Sequence, residues 1–178
     1  VLACGPRTVG YGVVLWSAAE ESYETGNVVP IIEESSIQDS YTLLDADGEA
    51  VEVPRWRVSF FKREKEAVAY LEAFEPWKTS IARADSDGLP IREEPDGTSE
   101  RVYRMRRGEA VKILSRGNTT HTEGQYEDYW YEVLTKGGIT VWVFGRNLTI
   151  TRIGSEDTSG EGAGRDPLLV TFLENTWR

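Results

Sequence analysis

The sequence predicts a mainly β chain folded as two small β-barrels joined by an α-helix. Short runs rich in Val, Ile, Tyr and Leu recur between turn signals along most of the 178 residues. One stretch alone changes to helical spacing. The two β-rich segments that flank it can be laid over one another.

In the first segment, strands are expected at 13–15, 28–32, 41–44 and 51–53. Asp45, Ala46, Asp47 and Gly48 form a hairpin turn signal between the last two. From Arg63 to Trp77 the apolar residues Ala67, Tyr70, Leu71 and Phe74 fall on one helical face, and Pro76 is expected to stop the helix. That face is expected to pack on a neighbouring domain. Strands resume at 89–92, 102–103, 110–115, 130–134 and 139–143, with a tight turn at Gly137 and Gly138. The organisation that follows is a tether at 1–10, a first barrel at 11–61, a linking helix at 62–78 and a second barrel at 79–153. A Gly-, Ser- and acid-rich linker follows at 154–166, then the start of a further segment at 167–178.

The repeat is ungapped over two blocks. Residues 26–32 lie on 108–114, and residues 41–61 lie on 131–151. Tyr41, Leu44, Gly48, Val51 and Val53 then coincide with Tyr131, Leu134, Gly138, Val141 and Val143. These are turn and inward-facing positions, where a slip of one residue would turn the core side chains outward. Segments 11–61 and 89–153 are therefore expected to superpose. The piece between the blocks is short at 33–40 and is expected to be a much longer loop at 116–130.

In the second segment, Gly88-Leu89-Pro90-Ile91-Arg92 is followed by Arg104 to Leu114, by Trp130-Tyr131-Glu132-Val133 and by Val141-Trp142-Val143. This order of blocks resembles a bacterial SH3 domain over about residues 89–153. The first segment resembles the same family more weakly, because it lacks both tryptophans. The resemblance implies two SH3-like barrels of five strands each. It also implies binding of peptidoglycan peptides or envelope proteins. Small barrels bury little apolar surface, so the helix is expected to serve both as shared packing.

The opening Val1-Leu2-Ala3-Cys4-Gly5 resembles the lipobox of bacterial lipoproteins. That likeness implies lipidation at Cys4 and a chain held on the bacterial cell envelope, periplasmic or surface-exposed, by its anchor alone. No apolar run approaches the roughly 18 residues of a membrane-spanning helix. The net charge of -10 repels phosphate backbones and argues against nucleic acid. The charge is uneven. Residues 1–61 hold ten acids and three bases, net -7, whereas 79–153 hold eleven of each.

No catalytic constellation emerges, and the chain is expected to be non-enzymatic, without cofactor or metal. His121, the sole histidine, lies in a polar stretch with no nucleophile beside it. Glu20-Glu21, Glu33-Glu34 and Glu93-Glu94 are adjacent pairs that point apart on a strand. Asp45 to Glu49 begins like a calcium loop but lacks the later bidentate Glu, so it is expected to be a turn. Binding is left. In the resemblance, Trp130 takes the groove-tryptophan position, whereas Asn147 replaces the usual tyrosine, and the first segment has Ser40 and Arg57 at the two places. The expected ligand-binding residues are Tyr126, Tyr129 and Trp130, aromatics costly to expose unless something covers them. The rival expectation is a cell-wall targeting region of a hydrolase whose catalytic domain lies beyond residue 178.

Overall fold

The computed structural model describes residues 7–17 and 21–153. Cys4, the expected linker and the last segment lie outside them. The chain divides into two compact units between Lys78 and Thr79.

The first unit is a five-stranded antiparallel sheet followed by a helix. Its strands are β1 (Gly10–Val14), β2 (Val28–Ser35), β3 (Ser40–Leu44), β4 (Ala50–Pro54) and β5 (Val58–Phe61), in the order β4-β3-β2-β1-β5. A 3-10 turn, Arg55–Arg57, carries the chain from β4 to β5. Alternation places Val14, Val29, Ile31, Tyr41, Leu43, Val53 and Val58 in one buried cluster, with Tyr23 among them. All five strands contribute to that one cluster, so the sheet curls around its inner face.

The helix α1 spans Glu64–Phe74, and Glu66 closes its first turn by accepting from the Arg63 backbone N–H at 3.3 Å. Pro76 sits in a further 3-10 turn, Glu75–Trp77, rather than ending the chain's helical course outright. The apolar face of α1 packs on β1, β2 and β5 of its own unit, where the sequence led us to expect a neighbouring domain. Ala67 and Phe74 are buried, and the Tyr70 ring lies 5.2 Å from that of Phe61. Gly10 and Gly12 let β1 lie close against the inner core: a Cβ would fall 2.4 Å from the Phe60 ring at Gly10 and 2.3 Å from a Val58 methyl at Gly12.

The second unit holds β6 (Ser80–Ala84), β7 (Leu89–Arg92), β8 (Arg101–Met105), β9 (Ala110–Glu123), β10 (Tyr126–Leu134), β11 (Thr140–Phe144) and β12 (Leu148–Arg152). Their order is β12-β6-β9-β10-β11-β7-β8. Its first five members repeat the sheet of the first unit strand for strand, and β7–β8 is an added hairpin on β11.

The repeat extends to register. Tyr41 faces Val53 and Leu43 faces Val51; Tyr131 faces Val143 and Val133 faces Val141. Both units carry a bulge at the same step, between Ile31 and Glu33 and between Ile113 and Ser115. Tyr11 faces Pro30 as Ile81 faces Lys112. The β3–β4 and β10–β11 turns match as well. Asp45 N–H donates to Glu49 O and Gly48 N–H to Asp45 O; Thr135 and Ile139, Gly138 and Thr135 do the same, at 3.0–3.1 Å. Gly48 and Gly138 both have positive φ, 81° and 77°, which explains glycine at each. The Asp45 carboxylate accepts from the backbone of Asp47 and Glu49, so the calcium-like stretch is indeed a turn.

Two expectations need correction. The second copy starts at β6 and not at residue 89, which lies in the added hairpin. The expected loop at 116–130 is instead a continuation of β9 and β10, turning at Gly124 and Gln125. Thr119, Thr120 and Thr122 are β-branched and support a polar two-stranded ribbon as well as a loop.

Candidate binding site

The extension of β9 and β10 carries the expected aromatic residues, but it does not treat them alike. Register pairs Tyr126 with Glu123 and Tyr129 with Thr120, then shifts before Tyr131 meets Arg116. That irregularity turns Trp130 inward. Its side chain is 1% exposed, with its ring 5.4 Å from that of Phe144. Trp130 is a core residue and leaves the candidate surface. Its indole Nε1 is buried without a hydrogen-bond partner among the described residues.

Tyr126 is 40% exposed and Tyr129 is half-buried. Each is overlaid by an arginine. The Arg146 guanidinium stands 4.1 Å from the Tyr126 centroid, and Arg116 stands 4.2 Å from that of Tyr129. Such stacks hold a ring in place through its negative face while leaving an edge to solvent. Gln125 Nε2 donates to the Tyr126 hydroxyl at 2.8 Å. Asp128, between the two tyrosines, accepts from the Tyr129 N–H at 2.7 Å, and a Cβ at Gly145 would come within 2.7 Å of its carboxylate.

Near the tip of this hairpin is a hollow of about 450 Å³, lined by residues 95–98 of the β7–β8 connection and 121–124 of β9 and its turn. Asp96 accepts from the Thr98 N–H and hydroxyl at 2.7 and 2.8 Å, and these bonds, with Arg92 and His121 nearby, hold its carboxyl below the usual range. A Cβ at Gly97 would fall 2.0 Å from a Glu123 carboxylate oxygen, so a side chain there would displace the Glu123 carboxylate. His121 is exposed, on β9 rather than in a loop, with Nε2 3.3 Å from the Thr119 hydroxyl. Among the described residues no cluster of His, Cys, Asp and Glu could hold a metal ion.

Sequence reasoning missed the 95–98 wall and both arginines. Pro95-Asp96-Gly97 is a legible turn signal, but nothing in the sequence tells that this turn faces residue 123. In the first unit cations also stand over rings, with Arg55 5.0 Å from the Tyr41 centroid and Lys62 5.6 Å from that of Phe60. Ser40 is buried and donates to Glu52 at 2.6 Å, and Arg57 donates to Glu21 at 2.6 Å with Trp56 beneath its guanidinium. Asn147 has a φ of 67°, a conformation that Asn tolerates and tyrosine rarely adopts.

The fold defines the class, a tandem of small, mainly β modules. Residues 9–76 match the TP0260 family, N-terminal SH3 domain, and residues 87–149 match the bacterial SH3 domain. The chain is a tandem SH3-like protein whose second module is a bacterial SH3 domain. It is 36% identical over 179 residues to a protein of Treponema pallidum (strain Nichols) described as uncharacterized. The match covers 96% of this chain and 39% of that protein, so the chain spans about two fifths of its relative. A solved structure, Ly7917, is 16% identical over 83% of this chain and 66% of its own, with a TM-score of 0.27, too low to bear on the fold.

Proposed function

We propose that the chain is a non-enzymatic binding or scaffolding protein of the bacterial cell envelope, which holds a peptide-bearing partner on its second module. The observation that carries this reading is the pair of Arg–Tyr stacks on the protruding hairpin, with an open hollow near its tip. Aromatic rings fixed in place lose little freedom on binding and commonly anchor recognition surfaces. The partner is an envelope protein or a peptidoglycan peptide. The lipobox-like run Val1 to Gly5 supports an anchor of acyl chains at Cys4 and with it the envelope location.

Capture by the whole chain from solubilised envelope proteins and on purified peptidoglycan tests the reading. Tyr126→Ala and Tyr129→Ala together are expected to weaken capture by about tenfold or more, with the melting temperature within a few degrees. Undiminished capture would remove the site. Trp130→Ala is no test of binding, because emptying a core tryptophan costs about 3–5 kcal/mol of stability. Expression with a leader and a Cys4→Ala control reads the anchor: release of the variant from membranes is expected. The rival reading, a targeting region for a cell-wall hydrolase, predicts peptidoglycan capture alone and lytic activity in the gene product that continues past residue 178.

A further inference from the structure

We propose that the outer edge of β4, in the first module, accepts an extended basic strand from a partner protein. The repeat itself points there. In the second module the corresponding edge, that of β11, is occupied: Arg92 of β7 lies opposite Trp142 and Ile91 opposite Val143. In the first module the same two places are Glu52 and Val53, and β4 is an edge strand with β3 as its one neighbour among the described residues. The difference has a simple origin. Between β6 and β9 the chain has room for the β7–β8 hairpin, whereas β1 ends at Val14 and β2 begins at Val28.

The edge is accessible, with Ala50, Glu52 and Pro54 exposed. Among the described residues no strand pairs with its outer side, the arrangement that strand addition uses. Pro54 has no N–H to give, which confines pairing to the residues before it. That is the extent of pairing seen between β7 and β11.

Charge selects the occupant. Glu52 takes the place of Trp142, so a residue added opposite it stands where Arg92 stands in the second module. One Glu52 carboxylate oxygen accepts from Ser40, and the other has no partner among the described residues. Residues 1–61 carry a net -7. A basic residue opposite Glu52 makes a favourable cross-strand pair, whereas a second copy of β4 would set acid against acid.

The probe is a capped peptide with the Leu-Pro-Ile-Arg core of β7 flanked by lysines, titrated into the isotope-labelled whole chain. Amide shifts are expected to be confined to residues 50–54 and their β3 partners, with exchange of the Glu52 amide slowed. A peptide with glutamate in place of the arginine and lysines is expected to bind at least about tenfold more weakly. Glu52→Lys is expected to invert that preference, and Glu52→Gln to reduce it if the lysine variant does not fold. Absence of binding, equal binding of both peptides, or shifts confined to the second module would overturn the proposal. So would self-association through β4 without peptide.

Discussion

At the scale of single residues, Lys112 departs furthest from its ordinary chemistry. It occupies the place of Pro30 in the repeat, is 1% exposed, and burial pushes its ammonium down to about 7. The unfolded chain keeps that proton up to about pH 10.4, so between the two values it binds a proton that the native state has lost. Stability therefore rises with pH from about 7, at a rate approaching about 1.4 kcal/mol per pH unit. Below about pH 7 the penalty of burying the charge is present in full. Chemical denaturation at pH 6, 7.5 and 9 is expected to show this rise, and Lys112→Met to remove it. Equal slopes in the two proteins would show that Lys112 is charged in the native state. Burial raises Tyr23, Tyr103 and Tyr131, and Tyr103 also donates to Glu109 at 2.9 Å. These groups act oppositely and higher: the native state holds protons that the unfolded state releases above about pH 10, so stability falls there.

At the scale of elements, the two hairpins β3–β4 and β10–β11 share register, turn bonds and a positive-φ glycine, although few of their residues are identical. A Cβ at Gly48 would meet nothing within 4 Å, so the cost of Gly48→Ala is conformational alone. It is expected to be about 1 kcal/mol, and Gly138→Ala is expected to match it. Denaturant midpoints check both, and a large difference between them would mean that the turns are not equivalent. Sequence identified these turns because glycine and Asp spacing encode them locally. It did not identify β5, β6 or β12, which are short and gain their hydrogen bonds from strands distant in the chain. It also took the β9–β10 extension for a loop, because both faces of a solvated ribbon are polar and no apolar alternation marks it.

At the scale of the whole molecule, the boundary between Lys78 and Thr79 assigns α1 to the first module. A fragment ending at Lys78 is expected to unfold cooperatively with its helix intact. A fragment ending at Phe61 is expected to be far less stable, since it uncovers the faces of β1 and β5 that Ala67, Tyr70 and Phe74 cover. Circular dichroism and thermal melts of the two fragments compare them directly, and equal stability would deny the helix any structural role. The sequence by itself determined the mainly β class, the duplication, its hairpin register and the helix. Each of these is written in local periodicity or turn chemistry. Only the tertiary structure decided which face the helix covers, that Trp130 is core while Tyr126 and Tyr129 stand under arginines, and that β11 has β7 beside it where β4 has no second strand among the described residues. Those outcomes depend on which distant segments meet, and a side chain's exposure is set by what the fold packs against it.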